Sequence, residues 1–284
     1  MNSSTFATLA TQNDPLNAAA ITAALGALGA RYRIEVVDSC ASTNALLRER
    51  AEQGTAARGV ICSVVVCEEQ TAGRGRRGRH WRSAGEGSLT FSLLWRFAPG
   101  TPLPSALSLV TGLAVARALE QLDARDIALK WPNDILLRGR KLGGILIEVT
   151  QNQREGTAVV IGIGLNLSLP PDFEIGSDTS GDFGVAALNE TLPKLPARNA
   201  LLARLLIEID IVFAQFAAHG FDDLREQWLS RHALQDAELR VVLDQHTLLE
   251  GRCSGIDADG ALLLTTVSGT QRVVSGEVSV RRRG

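Results

Sequence analysis

The chain has 284 residues, 45% of them hydrophobic, with 29 basic against 31 acidic side chains and a formal net charge of −2. A chain of that length buries roughly 75% of its unfolded surface, enough for a large core with a small appended domain, while the charge balance excludes the basic coat that carries non-specific nucleic-acid binding. The four cysteines, Cys40, Cys62, Cys67 and Cys253, make neither a CxxC pair nor a zinc-spaced set with histidine, which excludes a disulfide framework and a structural zinc site.

Residues 1–30 hold no lysine or arginine, and the apolar run Ala18–Ala30 is too short to span a bilayer. The sequence therefore predicts no secretory leader, no transit peptide and no membrane association, hence a cytoplasmic protein. Within this N-terminal extension, Ala18–Leu28 reads as a helix. Arg31–Asp38 alternates like a strand, and Ser42 or Thr43 caps a helix running to about Gln53. Gly59–Cys67 is an apolar, β-branched run suited to a buried strand, Ser88–Phe97 alternates again, and Pro104–Leu122 has helical spacing. From Ile127 short strands follow: Ile135–Leu137, a tight turn at Arg138-Gly139-Arg140, Leu142–Val149 and Thr157–Leu167. The proline-rich region Pro170–Pro196 reads as a surface loop, then helices span about Ala197–Ala217 and Phe221–Ser230. Five short strands with turn signals, among them Asp257-Ala258-Asp259-Gly260, suggest a small barrel from about Ala237. The pattern is α+β, with a mixed, largely antiparallel sheet and no βαβ period. It divides the chain into an extension (1–30), a large α+β domain (31–234) and a C-terminal barrel (235–284).

Two stretches carry the chemistry. Gly73-Arg74-Gly75-Arg76-Arg77-Gly78-Arg79-His80-Trp81 places four guanidinium groups in a glycine-rich loop straight after an apolar strand, an arrangement suited to a small anion. A solvated basic turn is the plain alternative, and a P-loop is excluded because G-x-x-x-x-G-K-[ST] is absent. Lys130-Trp131-Pro132-Asn133-Asp134 and Lys141-Leu142-Gly143-Gly144-Ile145-Leu146-Ile147-Glu148 form the second. There, a lysine precedes a double glycine in a strand, where bare backbone marks close approach. The chain has only three lysines, Lys130, Lys141 and Lys194, a skew that codon usage explains more readily than function. Ser42-Thr43-Asn44 and Gly162-Ile163-Gly164-Leu165-Asn166-Leu167 are weak signals alone, but a neutral hydrogen-bonding ligand needs such short hydroxyl and amide side chains in a buried site. His80, His219, His232 and His246 make no triad or metal set.

On these residues, with Gln70 and the closing Gly276-Glu277-Val278-Ser279-Val280-Arg281, the chain from about Arg31 to Arg283 resembles the biotin protein ligases, also called biotin–[acetyl-CoA-carboxylase] ligases. The resemblance implies a class II synthetase-like biotin/lipoate ligase catalytic domain with a C-terminal SH3-like barrel. It implies activation of biotin by ATP to biotinyl-5′-AMP, then transfer to a lysine of a biotin carboxyl carrier domain of acetyl-CoA carboxylase. Lys141 and Arg76 would be catalytic. Ser42, Thr43, Asn44, Gln70, Arg74, Gly75, Arg76, Lys141 and Gly144 would bind biotin, and Arg79, Trp81, Asn133, Asn166 and Arg281 would bind ATP. Mg²⁺ would be held by phosphate oxygens and water, with no metal site of the protein's own, and loop 73–81, unstructured without ligand, would close over the intermediate. About 30 residues before the first strand leave no room for the DNA-binding winged helix of some members, so no operator binding is expected. A homodimer through exposed sheet edges is expected by analogy. Lipoate-type ligases share the fold, and a nucleic-acid-binding module is the alternative from another class, disfavoured by near-neutral charge and a single tyrosine.

Overall fold

A computed structural model of the chain describes residues 14–53, 62–96, 105–152, 156–170, 184–242, 248–274 and 279–282. Seven strands lie in one sheet: β1 (Tyr32–Cys40), β2 (Cys62–Gln70), β3 (Ser88–Arg96), β4 (Ile127–Lys130), β5 (Asp134–Leu137), β6 (Arg140–Asn152) and β7 (Gly156–Asn166). Their order is β1-β2-β3-β7-β6-β5-β4. Only β1 and β2 pair in parallel; the remaining neighbours are antiparallel, so the expected mixed, largely antiparallel α+β sheet is present. A parallel pair needs a crossover, which α2 (Thr43–Glu52) supplies.

Side chains alternate across this sheet. One face, through Val64, Val66, Phe91, Leu93 and Ile161, joins the main core with α3 (Leu107–Glu120) and α4 (Arg198–His219). The helix α3 is apolar nearly all round, as a helix trapped between a sheet and a second helix must be. The opposite face carries a smaller cluster in which Leu47 and Ala51 of α2 meet Val65, Leu94 and Val160. Along β7 the residues that follow Val160 on this face are Gly162 and Gly164, so the surface sinks beside the N-terminus of α2.

The first helix, α1 (Ala18–Ala24), stops short of Leu28: Gly26 adopts φ +59° and a 3₁₀ segment continues to Arg31. The expected surface loop 170–196 is corrected in its later part. Residues 171–183 lie outside the described residues, but Lys141 N donates to Gly184 O and Ala186 N to Lys141 O, at 3.0 and 2.9 Å. Ala186, Leu188 and Leu192 are buried, because the segment pairs with the start of β6 and its apolar side chains join the main core.

After α5 (Asp222–Leu229), residues 231–233 run along the edge strand β4, with Leu129 N donating to Arg231 O at 2.7 Å and Ala233 N to Leu129 O at 2.9 Å. The linker thus covers a strand edge that would otherwise be open. It leads into β8 (Glu238–Val242), β9 (Leu248–Ile256), β10 (Leu262–Thr266), β11 (Gly269–Val273) and β12 (Ser279–Arg282), an antiparallel sheet ordered β11-β10-β9-β8-β12. Among the described residues no helix is long and apolar enough to cross a membrane.

Candidate active site

A cleft opens on the α2 face of the large sheet and encloses about 620 Å³, its open mouth included. One end is neutral and polar. Ser42 sits at the N-cap position of α2 in extended conformation but makes no side-chain cap bond. The cap comes from β2 instead: Gln70 Oε1 accepts from Thr43 N at 2.8 Å and from the Thr43 hydroxyl at 3.1 Å. Borrowing a cap from another strand satisfies the orphan amide and leaves the Ser42 hydroxyl to the cleft. Ser92, fully buried on β3, donates to Asn44 Oδ1 at 2.6 Å and stands 2.7 Å from the Thr43 hydroxyl. Asn44 Nδ2 donates to Glu148 Oε2 at 2.8 Å and Leu146 O at 3.3 Å. Asn44 lines the cleft with its amide protons already committed, so it shapes that end of the cleft and holds its neighbours in place.

The opposite end is cationic. A bulge at Leu142 shifts the β5–β6 register, so that Ile135 pairs with Gly143 and Leu136 with Lys141. The extra residue sends Leu142 into the core and turns Lys141 to the same face as Gly144 three residues on, which plain alternation would forbid. Lys141 Nζ lies 2.7 Å from Asp134 Oδ1, and Lys130 Nζ lies 3.2 Å from Asp134 Oδ2; all three side chains are at most 15% exposed. Burial by itself raises the Asp134 carboxyl, but the Lys141 and Lys130 ammoniums and their hydrogen bonds outweigh it and hold it at about 2. Burial lowers the pKa of Lys130, against the pull of Asp134. A carboxylate fixed between two ammoniums leaves one net positive charge in a rigid frame.

The arginine loop closes the side of the cleft. It is tied by hydrogen bonds of its own: Gly75 N donates to Arg79 O at 2.7 Å and Trp81 N to Gly73 O at 2.9 Å, with Arg77 and Gly78 at the left-handed tip. Arg76 Nη1 reaches across to Asn133 Oδ1 at 3.2 Å, and Asn133 is anchored in turn by its Nδ2 on Ile145 O at 3.1 Å. Arg74 points elsewhere, pairing with Glu148 Oε1 at 3.4 Å. The indole of Trp81 lies on β7, where a Cβ on Gly164 would stand 2.5 Å from its ring; a Cβ on Gly162 would stand 2.2 Å from Asn44 Oδ1. These glycines make room for the site's own side chains. Of Gly143-Gly144, the first is pressed against the backbone of β7 and only the second faces the cleft.

Ser42, Thr43, Asn44, Gln70, Arg74, Gly75, Arg76, Arg79, Trp81, Asn133, Lys141 and Gly144 thus meet around one cleft. Asn166 is not part of that lining: it is buried behind Lys141, with Nδ2 donating to Ala186 O at 3.1 Å and to Lys141 O at 3.4 Å. Arg281 lies on β12, and its side chain is outside the described residues. Sequence reasoning overlooked Thr90 and Ser92, whose signal is a pair of small hydroxyls two apart in an apolar strand. It also gave no role to Lys130 or Glu148. The third lysine, Lys194, is exposed between β7 and α4. Among the described residues no cluster of three or more His, Cys, Asp or Glu could hold a metal, and both oxygens of Asp134 are engaged by ammoniums.

Residues 36–166 match the biotin/lipoate A/B protein ligase family, and residues 239–281 the biotin protein ligase C-terminal domain. The biotin–[acetyl-CoA-carboxylase] ligase of Mycobacterium tuberculosis is 35% identical over 261 residues, 89% of this chain and 91% of that one. The bifunctional ligase/repressor BirA of Salmonella typhimurium is 34% identical over 248 residues, 87% and 73% of the two chains. Among solved structures, the biotin protein ligase from Aquifex aeolicus in complex with biotin and ATP superposes with a TM-score of 0.73 at 27% identity, covering 88% of this chain and 99% of that one. Fold and matches together define an enzyme of the ligase class. The chain belongs to the biotin/lipoate A/B protein ligase family, on the biotin protein ligase side of it.

Proposed function

We propose that the cleft joins biotin to AMP at the expense of ATP and passes the biotinyl group to a lysine of a biotin carboxyl carrier domain. The observation that carries this reading is the polarity of the cleft: short neutral hydrogen-bonding groups at one end, Arg76, Arg79, Lys141 and Asn133 at the other. The ureido ring, which has donors and an acceptor but no charge, suits Ser42, Thr43 and Gln70. The carboxylate then points toward the cations.

In the first step a biotin carboxylate oxygen attacks the α-phosphorus, the bond to the β-phosphate bridging oxygen breaks and pyrophosphate leaves. Two anions must meet, so cations fixed before the reaction stabilise the charge that accumulates. Lys141, held by Asp134, and Arg76, held by Asn133, take that part, with the nucleotide against Arg79 and Trp81. Magnesium enters as MgATP, part of the substrate. In the second step the acceptor lysine amine attacks the acyl carbon, AMP departs and a proton is lost to solvent. The mixed anhydride is water-sensitive, and the arginine hairpin is the element placed to cover it.

ATP–pyrophosphate exchange tests the reading. Exchange that requires biotin is expected; exchange without biotin, or none with it, defeats the proposal. Offering lipoate in its place checks the sister chemistry, for which no turnover is expected because the matched C-terminal domain is that of biotin protein ligases.

A further inference from the structure

The turn between β9 and β10 packs its last residues, Gly260 and Ala261, against the catalytic domain and leaves Ala258 and Asp259 exposed. Gly260, at φ +82°, lies flat on the first turn of α3, where a Cβ would stand 2.9 Å from both Ala106 Cβ and Leu109 Cδ1. Its carbonyl accepts from Trp131 Nε1 at 3.0 Å, and Ser105 Oγ donates to Asp259 O at 2.6 Å. The turn is stiff in itself: Asp257 Oδ1 accepts from Asp259 N and Ala261 N at 2.9 Å, and Arg272 pairs with both Asp257 and Asp259. Trp131 is only 1% exposed and does not line the cleft. It is nevertheless the residue that opens the corner carrying Asn133 and Asp134.

That corner is braced from several directions. Ser108 Oγ of α3 donates to Pro132 O at 2.9 Å, Ile145 N of β6 donates to Asn133 O at 3.0 Å, and Asp134 is held by the two lysines. The Trp131–Gly260 bond is the brace that comes from the C-terminal sheet. We infer that Trp131 and Gly260 are positioning residues: through them the C-terminal sheet sets the Asn133–Asp134 corner, and so the cations at the phosphate end of the cleft, without touching substrate. The inference rests on the proposed reaction. The biotin end, built from β1, α2, β2 and β3, does not share this brace.

The test uses the full chain with Trp131→Phe, which keeps an aromatic ring but loses the N–H donor with the rest of the indole, and Gly260→Ala, which pushes the turn off α3. Biotin affinity is measured by calorimetry, the KM for ATP by pyrophosphate exchange, and folding by thermal melting. The expected result is a KM for ATP raised about tenfold in Gly260→Ala and severalfold in Trp131→Phe, with biotin affinity within about twofold of the parent. An unchanged KM for ATP in Trp131→Phe overturns the inference, even if Gly260→Ala fails to fold. So does a loss of biotin and ATP affinity in equal proportion, which is what general loosening of the fold produces. Absence of biotin-dependent exchange in the parent protein instead defeats the underlying reaction, and the inference with it.

Discussion

Asp134 orders the residues at the cationic end of the cleft, because its two oxygens are divided between Lys130 and Lys141. Removing one ammonium leaves a buried carboxylate half-paired, which costs more than the lost contact alone. Lys141→Ala is expected to lower adenylate formation by at least about 100-fold while biotin still binds, read by trapping biotinyl-AMP; an unchanged yield removes Lys141 from the reaction. Arg76→Gly breaks the tie from the hairpin to Asn133. It should release the adenylate, measured as labelling of a bystander lysine-rich protein. Residue identities in the cleft were largely legible in sequence because charged and glycine-rich runs stand out against an apolar background. Asn166 carries a weaker signal, because an asparagine at a strand end serves backbone carbonyls as readily as a ligand. Lys130 and Glu148 stood in the motifs without a role: Lys130 pairs with Asp134 only four residues on, across the β4–β5 corner, while the partners of Glu148 lie about 100 residues away in α2.

Strand and helix positions followed from periodicity, and the boundaries of β3 and β7 came close to expectation. What periodicity could not show was the bulge at Leu142, because it is defined by β5 across the sheet, nor the cap on α2, which is lent by Gln70. Both are tertiary events. At this scale the glycines of β7 give a matched pair of tests. Gly162→Ala drives a methyl into Asn44 and should weaken biotin affinity, whereas Gly164→Ala drives one into the Trp81 ring and should raise the KM for ATP. Each is expected to cost about 1–3 kcal/mol of stability as an overpacked position, measurable by urea unfolding. Reversal of the two ligand effects would show that the ends of the cleft are assigned the wrong way round.

The junction between the large sheet and the C-terminal sheet holds a buried histidine. His232 lies on the linker beside β4, its ring 4.7 Å from that of Trp228, and burial lowers its pKa to about 4 despite a hydrogen bond with Gln235. A histidine depressed in the fold adds stability that is complete above its unfolded pKa of about 6.5 and is lost as pH falls toward the folded value. Between pH 7.5 and 5 this predicts a loss of about 2 kcal/mol that a His232→Gln variant does not share, checked by urea midpoints at the two pH values. An equal loss in both proteins would assign the acid sensitivity elsewhere. The division into sheets was visible in the sequence from the change in strand length and turn spacing; the linker's place on the edge of β4 was not, since nothing local marks it. The distribution of amines has a practical corollary. With two ammoniums locked on Asp134 and only Lys194 of the three lysines exposed, amine-directed esters at mild pH should attach a dye or a sensor surface at Lys194 in preference to Lys130 and Lys141. The tethered protein should keep its turnover, a result peptide mapping and a rate assay can verify together.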